Sequence, residues 1–497
     1  MIALIDLAKA CGLLDVPARS SRMVRGVAYD SRRVTDGDLF VALRGERHDG
    51  GAFASEALGR GAVAVASQVR PDGVDAADWV SVPDARRFLA QAARVVLRTA
   101  PIPRLVGVTG TKGKTTCALW IHHVLNACGR KAGALGTVTY HLGSREIPAG
   151  RTTPEAPDVE GYLKEMSAAG LEDCVMEVSS HAVALERVAE LPFEMAIFTN
   201  LGRDHLDFHR DEESYFAAKR SLFERLPASG VAIVNVDDAR GDAVRAAAPC
   251  RAITYGRRPD ADVRIASVRE TLDGIEVDVA IGGSRIVVAS PLLGDANARN
   301  LAAVLAASVG LGIPVAEAAR AIGTFAGAPG RLEPVRAGQP FLCLVDYAHT
   351  PESLETSLAA CRSLAAKAGG RVIAVMGCGG DRDRGKRPLM GAAAARGSDV
   401  LVVTSDNPRS EDPLKIILDV EVGIRKLDPP AAPYRVLPDR REAIAAAVEA
   451  ARPGDVVLIA GKGHERVQIW KGGTIPFDDR QVAIEEIRRL SVKGGAS

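Results

Sequence analysis

The sequence predicts an α/β protein of three domains, and three observations carry that prediction. Short apolar runs that read as buried strands alternate with helix-like patterns along nearly the whole chain. A glycine-punctuated strand–turn–helix stands at 105–116. The 497 residues, 47% hydrophobic and 25% charged, suffice for about three ordinary globular cores. The expected division is a small α/β N-terminal domain over 1–98 and a central P-loop mononucleotide-binding domain with a mainly parallel sheet over 99–331. A Rossmann-like C-terminal domain over 332–497 completes it.

In the first domain, Val24 to Tyr29 and Asp38 to Leu43 read as short strands followed by polar turns. Phe53 to Arg60 is helical, Ala62 to Ala66 and Trp79 to Val82 are strands, and Ala85 to Ala100 is a helix. The turns carry Ser31, Arg32 and His48, which could grip a ligand or be ordinary solvated turn residues. Pro101-Ile102-Pro103 marks a linker.

The central domain opens on Val106-Gly107-Val108-Thr109-Gly110-Thr111-Lys112-Gly113-Lys114-Thr115-Thr116. Glycines let backbone N–H groups approach phosphate oxygens, and the following helix N-terminus adds its partial positive charge. Lys114 is suited to the β/γ-phosphates and the Thr115 hydroxyl to Mg²⁺. The match is the shorter G-T-x-G-K-T, because Val108 stands where the usual pattern has its first glycine. Leu135 to Tyr140 reads as a strand and Asp158 to Gly170 as a helix. Asp173 to Val178 is a buried strand delivering Glu177 to its carboxyl end, Met195 to Asn200 leads to His205, and Gly230 to Asn235 is a third strand. Ligands of open parallel sheets sit at such ends, so Glu177, His205 and the phosphate loop are expected to converge. Residues 251–293 alternate like antiparallel strands.

The C-terminal domain repeats the alternation, with strands at Phe341 to Asp346, Arg371 to Met376, Asp399 to Thr404 and Asp455 to Ile459. Each ends in a polar or glycine-rich turn, and four such turns make a ligand-binding rim.

The net charge of +1 gives no pull toward nucleic acid or a membrane surface. The longest apolar stretch, Leu301 to Ala316, is too short and too interrupted to span a bilayer. The eight cysteines form no C-x-x-C pair and fit a reducing cytoplasm, and the first ten residues lack a basic signal-peptide start. The expectation is a soluble, cytoplasmic, monomeric protein with small-molecule partners, no nucleic acid and no membrane insertion.

Four motifs then carry a resemblance. Gly110-Thr111-Lys112-Gly113-Lys114-Thr115, Glu177-Val178-Ser179-Ser180-His181, Thr199-Asn200-Leu201-Gly202-Arg203-Asp204-His205-Leu206-Asp207 and Asp346-Tyr347-Ala348-His349 resemble the Mur ligases of peptidoglycan synthesis. Asp406-Asn407-Pro408-Arg409 and Gly461-Lys462-Gly463-His464-Glu465 are similar to the branch that adds the third amino acid. The resemblance implies phosphorylation by ATP of the D-glutamate γ-carboxylate of UDP-MurNAc-L-Ala-D-Glu. The amine of meso-diaminopimelate then attacks the acyl phosphate.

The same resemblance assigns roles residue by residue. Gly110, Thr111, Lys112, Gly113, Lys114, Thr115, Thr116, Asn297, Arg331, Asp346 and His349 match the ATP site. Tyr29, Ser31, Glu46, Arg47 and His48 match the UDP end of the other substrate's site, and Thr152, Thr153, Ser179 and Arg187 its dipeptide end. Arg382, Asp406, Asn407, Pro408, Arg409, Gly461 and Glu465 match the diaminopimelate pocket. Arg409 is the discriminating residue, since lysine-adding relatives lack the arginine in this motif. Lys114, Glu177, His205 and Lys219 match catalytic positions, and Thr115, Glu177, His205 and Lys219 the Mg²⁺ site. Lys219 matches a lysine carried as its carbamate; read without the resemblance, it is a surface lysine on an amphipathic helix. The sequence departs from the family pattern at Arg151 and Leu185, so no contact is carried over there. The alternatives are a lysine-adding sister ligase, or a P-loop nucleotide hydrolase acting as a switch.

Overall fold

The computed structural model describes residues 1–13, 21–45, 48–205, 208–271, 273–427 and 433–494. They fall into two compact units. The first comprises Met1–Ile265, Val279–Arg285 and Arg299–Ile322, and the second Ala266–Asp278, Ile286–Ala298 and Gly323–Ser497.

The first unit begins with a four-stranded parallel sheet in the order Gly26–Ala28, Asp38–Val41, Ala64–Ser67 and Trp79–Ser81. The helix Ala85–Leu97 covers one face. It starts at Asp84, whose carboxylate accepts the backbone N–H groups of Arg86 and Arg87, and it buries Phe88, Leu89, Ala92 and Val96. The ion pair between Arg98 and the almost fully buried Glu160 ties this layer to the central helix Ala156–Ala168.

The larger sheet of this unit runs Glu146–Pro148, Thr139–His141, Ala132–Leu135, Asp173–Glu177, Arg104–Thr109, Phe193–Phe198, Val231–Asn235, Arg251–Gly256. From Ala132–Leu135 to Arg251–Gly256 every pairing is parallel. That arrangement explains the continuous apolar runs: Leu105, Val106 and Val108 are all fully buried, because helices cover both faces of a parallel sheet.

Two expectations are corrected. The strand expected over Leu135 to Tyr140 stops at Leu135 and resumes as a separate antiparallel strand at Thr139–His141. The break serves Glu177: a Cβ on Gly136 would lie 2.4 Å from its Oε1, and the Thr137 N–H donates to the same oxygen at 2.7 Å. Residues 251–293 do not open antiparallel. Arg251–Gly256 pairs parallel with Val231–Asn235, because the helix Gly241–Ala247 between them provides the crossover that a parallel neighbour requires.

The second unit holds a sheet in the order Glu333–Val335, Leu342–Asp346, Val456–Ala460, Val372–Cys378, Val400–Ser405, Tyr434–Val436, parallel apart from the first pairing. Helices Pro351–Ala368, Lys386–Gly397 and Pro413–Arg425 pack one face, while Arg440–Ala450 and the helix starting at Asp479 pack the other. Val456–Ala460 lies between Leu342–Asp346 and Val372–Cys378, and the helices that follow its two neighbours pack one face of the sheet while the helix that follows it packs the other. The carboxyl ends of these strands open a crevice there. Asp346, Asp406 and Gly461 all follow or end strands of this group.

Candidate active site

Strand Arg104–Thr109 ends in the glycine loop, and helix Lys114–Ala127 starts from it. Gly110 (φ +146°) and Gly113 (φ +85°) take conformations that a side chain would strain. Contacts reinforce the requirement: a Cβ at Gly110 would lie 1.9 Å from Thr199 Oγ1, and one at Gly113 2.7 Å from Asn300 Oδ1. Asn200 grips the Lys112 peptide from both sides. Its Oδ1 accepts the Lys112 N–H and its Nδ2 donates to the Lys112 carbonyl, each at 3.0 Å. Lys114 Nζ donates to the carbonyls of Gly110 and Thr111, both at 2.9 Å.

At the second residue of the helix, Thr115 Oγ1 donates to Glu177 Oε2 at 2.9 Å, and Thr137 Oγ1 donates to the same oxygen at 3.1 Å. Glu177 is 1% exposed. This places one buried carboxylate and two hydroxyls directly behind the phosphate loop, a set of hard oxygen donors that suits a magnesium ion. Among the described residues, no three His, Cys, Asp or Glu side chains group as a metal cluster. The donor set offered here instead mixes hydroxyl and carboxylate oxygens.

The network continues to the dipeptide-end residues. Thr152 Oγ1 meets Thr137 Oγ1 at 3.2 Å, and Thr153 Oγ1 donates to the Glu177 carbonyl at 2.8 Å and accepts from the Ser179 N–H at 3.1 Å. Arg187 donates from Nη1 to the Thr153 carbonyl at 3.1 Å and pairs with Glu155 at 2.9 Å. Thr152, Thr153, Ser179 and Arg187 therefore form one connected group with Glu177.

Lys219 is not a surface lysine. It is 1% exposed on helix Glu212–Glu224, its Nζ donates to the Gly110 carbonyl at 2.8 Å, and the Tyr215 ring centroid lies 4.2 Å from Nζ. Burial, and then the nearby Lys114 cation, hold its amine well below the ordinary lysine range. Its neighbours one turn away, Tyr215, Phe216, Leu222 and Phe223, are all buried, so Lys219 lies on the apolar face of its helix, and the solvent reading went by its charge alone. Tyr215 ties this helix to the loop, its hydroxyl 3.0 Å from Thr111 Oγ1. His205 has positive φ (+53°) and sits edge-on to His181, ring centroids 4.6 Å apart, with Tyr215 at 6.3 Å.

Of the residues expected at the UDP end, Ser31 donates to Glu56 at 3.0 Å, and Tyr29 donates to Asp158 Oδ2 at 2.5 Å. His48 is exposed on a turn closed by the Gly45 N–H to its carbonyl, 2.9 Å. Glu46 and Arg47 lie outside the described residues, as do Leu206 and Asp207 of the His205 motif.

In the second unit, Arg331 lies over the Tyr347 ring at 5.0 Å, and Asn297 donates to the Leu293 carbonyl at 2.8 Å. Asp346 accepts from the N–H groups of Leu332 and Ala348 and from the hydroxyl of Ser357 on helix Pro351–Ala368. His349 Nδ1 is 2.8 Å from the Tyr347 carbonyl. Around the next strand ends, Asp406 is 7% exposed and its Oδ2 would lie 2.6 Å from a Cβ on Gly461, so only glycine (φ +119°) fits there. Asn407 Nδ2 donates to Glu465 Oε2 at 2.7 Å. Arg409 has φ +55°, its N–H donates to Ile469 O at 2.9 Å, and its Nη1 donates to Gly380 O at 2.8 Å. The Pro408 carbonyl leaves room only for a glycine at 380, where a Cβ would approach to 1.9 Å. Arg382 donates to the Asp381 carbonyl at 3.2 Å. Asp406, Asn407, Arg409, Gly461 and Glu465 thus gather at one rim.

The motifs quoted from the sequence contain Asn200 and Lys462 without giving them roles, and Thr137, Tyr215 and Asn300 were not singled out. Only Lys462 had a readable signal, a lysine between two glycines.

A glycine phosphate loop backed by a buried carboxylate, joined on one chain to a rim of carboxylates and arginines at Rossmann-like strand ends, describes an ATP-using ligase. Family comparison agrees. Residues 23–96 match the Mur ligase family catalytic domain, 108–308 the Mur ligase middle domain and 330–463 the Mur ligase glutamate ligase domain. The chain belongs to the Mur ligase family. It is 46% identical over 475 residues, 95% of both chains, to the UDP-N-acetylmuramoyl-L-alanyl-D-glutamate–2,6-diaminopimelate ligase of Solibacter usitatus. It is 43% identical to that of Syntrophomonas wolfei, over 94% of this chain and 95% of the other. A solved structure of a ligase of that name superposes with TM-score 0.70 at 32% identity, covering 99% of each chain. The MurF ligase of Thermotoga maritima in complex with ADP shares the fold, with TM-score 0.59 at 21% identity over 94% of this chain and 97% of the other.

Proposed function

We propose that this protein couples ATP cleavage to formation of an amide bond between the D-glutamate γ-carboxylate of UDP-MurNAc-L-Ala-D-Glu and an amine of meso-2,6-diaminopimelate. A carboxylate is a poor acyl donor. A γ-carboxylate oxygen therefore attacks the γ-phosphorus of ATP, the bond to the β,γ-bridging oxygen breaks, and ADP leaves. The amine nitrogen then attacks the acyl carbon, the carbon–oxygen bond to phosphate breaks, and the nitrogen loses one proton. Phosphoryl transfer depends on positioning and charge neutralisation. Loop N–H groups and Lys114 bind the phosphates, with Gly110 to Thr116 as the cradle and Asn297, Arg331, Asp346 and His349 as further ATP-side groups.

Mg²⁺ fits the oxygen donors Thr115 and Glu177, with His205 and a modified Lys219 as further ligands. When bound, it neutralises charge on the phosphates. A buried Lys219 amine, whose neutral form that burial favours, is suited to capture CO₂: its nitrogen bonds the carbon and releases a proton, leaving an anionic carbamate. Thr152, Thr153, Ser179 and Arg187 hold the dipeptide, and Tyr29, Ser31, Glu46, Arg47 and His48 the UDP end.

The observation that carries the choice of amino acid is the rim that holds both an arginine, Arg409, bonded to the Gly380 carbonyl, and the carboxylates of Asp406 and Glu465. An amino acid with a second carboxylate beside a second ammonium matches that mixture, with Arg409 and Arg382 for the carboxylate and Glu465 for the ammonium. Lysine would leave the arginines without an anion. Asn407, Pro408 and Gly461 shape the pocket.

The proposed boundaries are those of three domains, 1–98, 99–331 and 332–497. Each role is assigned within one chain, so the proposed working form is a monomer. Its nucleotide substrates place it in the cytoplasm. No helix among the described residues is long and apolar enough to cross a membrane. The test is phosphate release by purified protein. Release that needs both the muropeptide and diaminopimelate supports the reading, whereas nucleotide hydrolysis indifferent to both favours a hydrolase switch.

A further inference from the structure

Lys462 is fully buried, with 0% exposure, in the glycine-flanked turn after strand Val456–Ala460. A lysine so buried needs partners for every donor. Its three donors are all used: Asn407 Oδ1 at 3.1 Å, Glu465 Oε2 at 3.1 Å and the Val467 carbonyl at 2.6 Å.

The effect on its neighbours is directional. Asn407 Oδ1 accepts both from Lys462 and from the Ile469 N–H at 3.0 Å, so its amide nitrogen must point the other way, toward Glu465. That nitrogen donates to Glu465 Oε2 at 2.7 Å. Both anchors of Glu465 therefore fall on one oxygen, Oε2, and Oε1 has no hydrogen-bond partner among the described residues. Glu465 is partly exposed, its side chain 29% accessible. One oxygen is tethered and the other is offered. Lys462 offsets the Glu465 charge locally, and the Asp406 carboxylate nearby, with no hydrogen-bond donor among the described residues, keeps a second negative charge at the rim.

We propose that Lys462 is a positioning residue. By fixing Asn407 and Glu465 Oε2, it aims Glu465 Oε1 at the second ammonium of the incoming amino acid and sets selectivity for substrates that carry one. The inference rests on the diaminopimelate reading above and adds to it a residue that touches no substrate.

The test compares meso-diaminopimelate with 2-aminopimelate, which keeps the attacking α-amine and the far carboxylate but lacks the far ammonium. The full-length protein is assayed with ATP and the muropeptide. In Lys462→Met, the KM for diaminopimelate is expected to rise about tenfold, as for loss of a hydrogen bond to a charged group, while those for aminopimelate and ATP stay within about twofold. In the double variant Lys462→Met/Glu465→Gln, which leaves no buried charge unpaired, the selectivity is expected to equal that of Glu465→Gln alone. That comparison stands even if Lys462→Met alone fails to fold. A Lys462→Met variant that loses both amino acids equally, or a double variant that loses selectivity beyond Glu465→Gln, overturns the inference and leaves the functional reading intact. Wild-type protein that ligates neither amino acid overturns both.

Discussion

The amine of Lys219 reaches across from its helix to the carbonyl of Gly110, 2.8 Å away, the residue that begins the phosphate loop. The side chain is almost completely buried and its amine is held well below the ordinary lysine range by that burial. Burial favours the neutral form of the amine, the form that CO₂ requires, whereas an exposed lysine is protonated and inert to it. Lys219→Ala is expected to abolish turnover, with partial recovery on adding a small carboxylate such as formate. The wild-type rate is expected to drop as pH falls through the depressed Lys219 value, because protonation removes the nucleophile. Full activity of the unsupplemented variant would remove Lys219 from the metal site.

Glu177→Gln keeps the shape but removes the charge behind Thr115. Loss of transition-state charge neutralisation is expected to reduce kcat by about a hundredfold or more, with ATP affinity reduced far less. Steady-state kinetics together with equilibrium nucleotide binding separate the two effects.

Arg409→Ala removes a guanidinium whose backbone (φ +55°) is already set to present it. The KM for diaminopimelate is expected to rise about tenfold or more, and the preference over lysine to narrow, because the far carboxylate loses a charge-assisted partner. The KM for ATP is expected to stay unchanged. An unchanged diaminopimelate KM would show that Arg409 grips no substrate carboxylate.

Glu411 staples the loop bearing Asp381 and Arg382 to the start of the helix after Arg409. It accepts from Arg387 at 2.8 and 3.1 Å and from the Asp381 N–H at 2.6 Å. Arg387 holds the Glu411 carboxyl down at about 2, against an ordinary 4.5. A carboxyl lowered in the folded state contributes stability that is present above about pH 4.5 and is lost as pH falls toward 2. Glu411→Gln is expected to be less stable than wild type at neutral pH. Between pH 4.5 and 2, thermal melting of the variant should depend less on pH than that of the wild type.

Fold class and most site residues were legible because strand-end motifs advertise themselves: an apolar run ending in glycines or in Asp-Asn-Pro-Arg is local in sequence. What was not legible was three-dimensional. Lys219 shares a helix face with the buried Tyr215, Phe216, Leu222 and Phe223, but the carbonyl that receives its amine belongs to Gly110, more than a hundred residues earlier. The early end of the strand at Leu135 follows from Glu177, forty residues on, which needs the Gly136–Thr137 backbone. Lys462 looks like a loop lysine until Asn407, Glu465 and the Val467 carbonyl are seen to take its three donors. Asp346 was recognised as a motif residue, but its bonds to Leu332, Ala348 and Ser357 could only be found in the fold.

The most direct test is a competition. Purified protein is given UDP-MurNAc-L-Ala-D-Glu, ATP and equal amounts of meso-diaminopimelate and L-lysine, and the muropeptide product is weighed by mass spectrometry alongside ADP release. The account predicts that the diaminopimelate adduct dominates, with one ADP formed for each amide bond. A lysine adduct in the majority, or ADP formed without any new muropeptide, would contradict it.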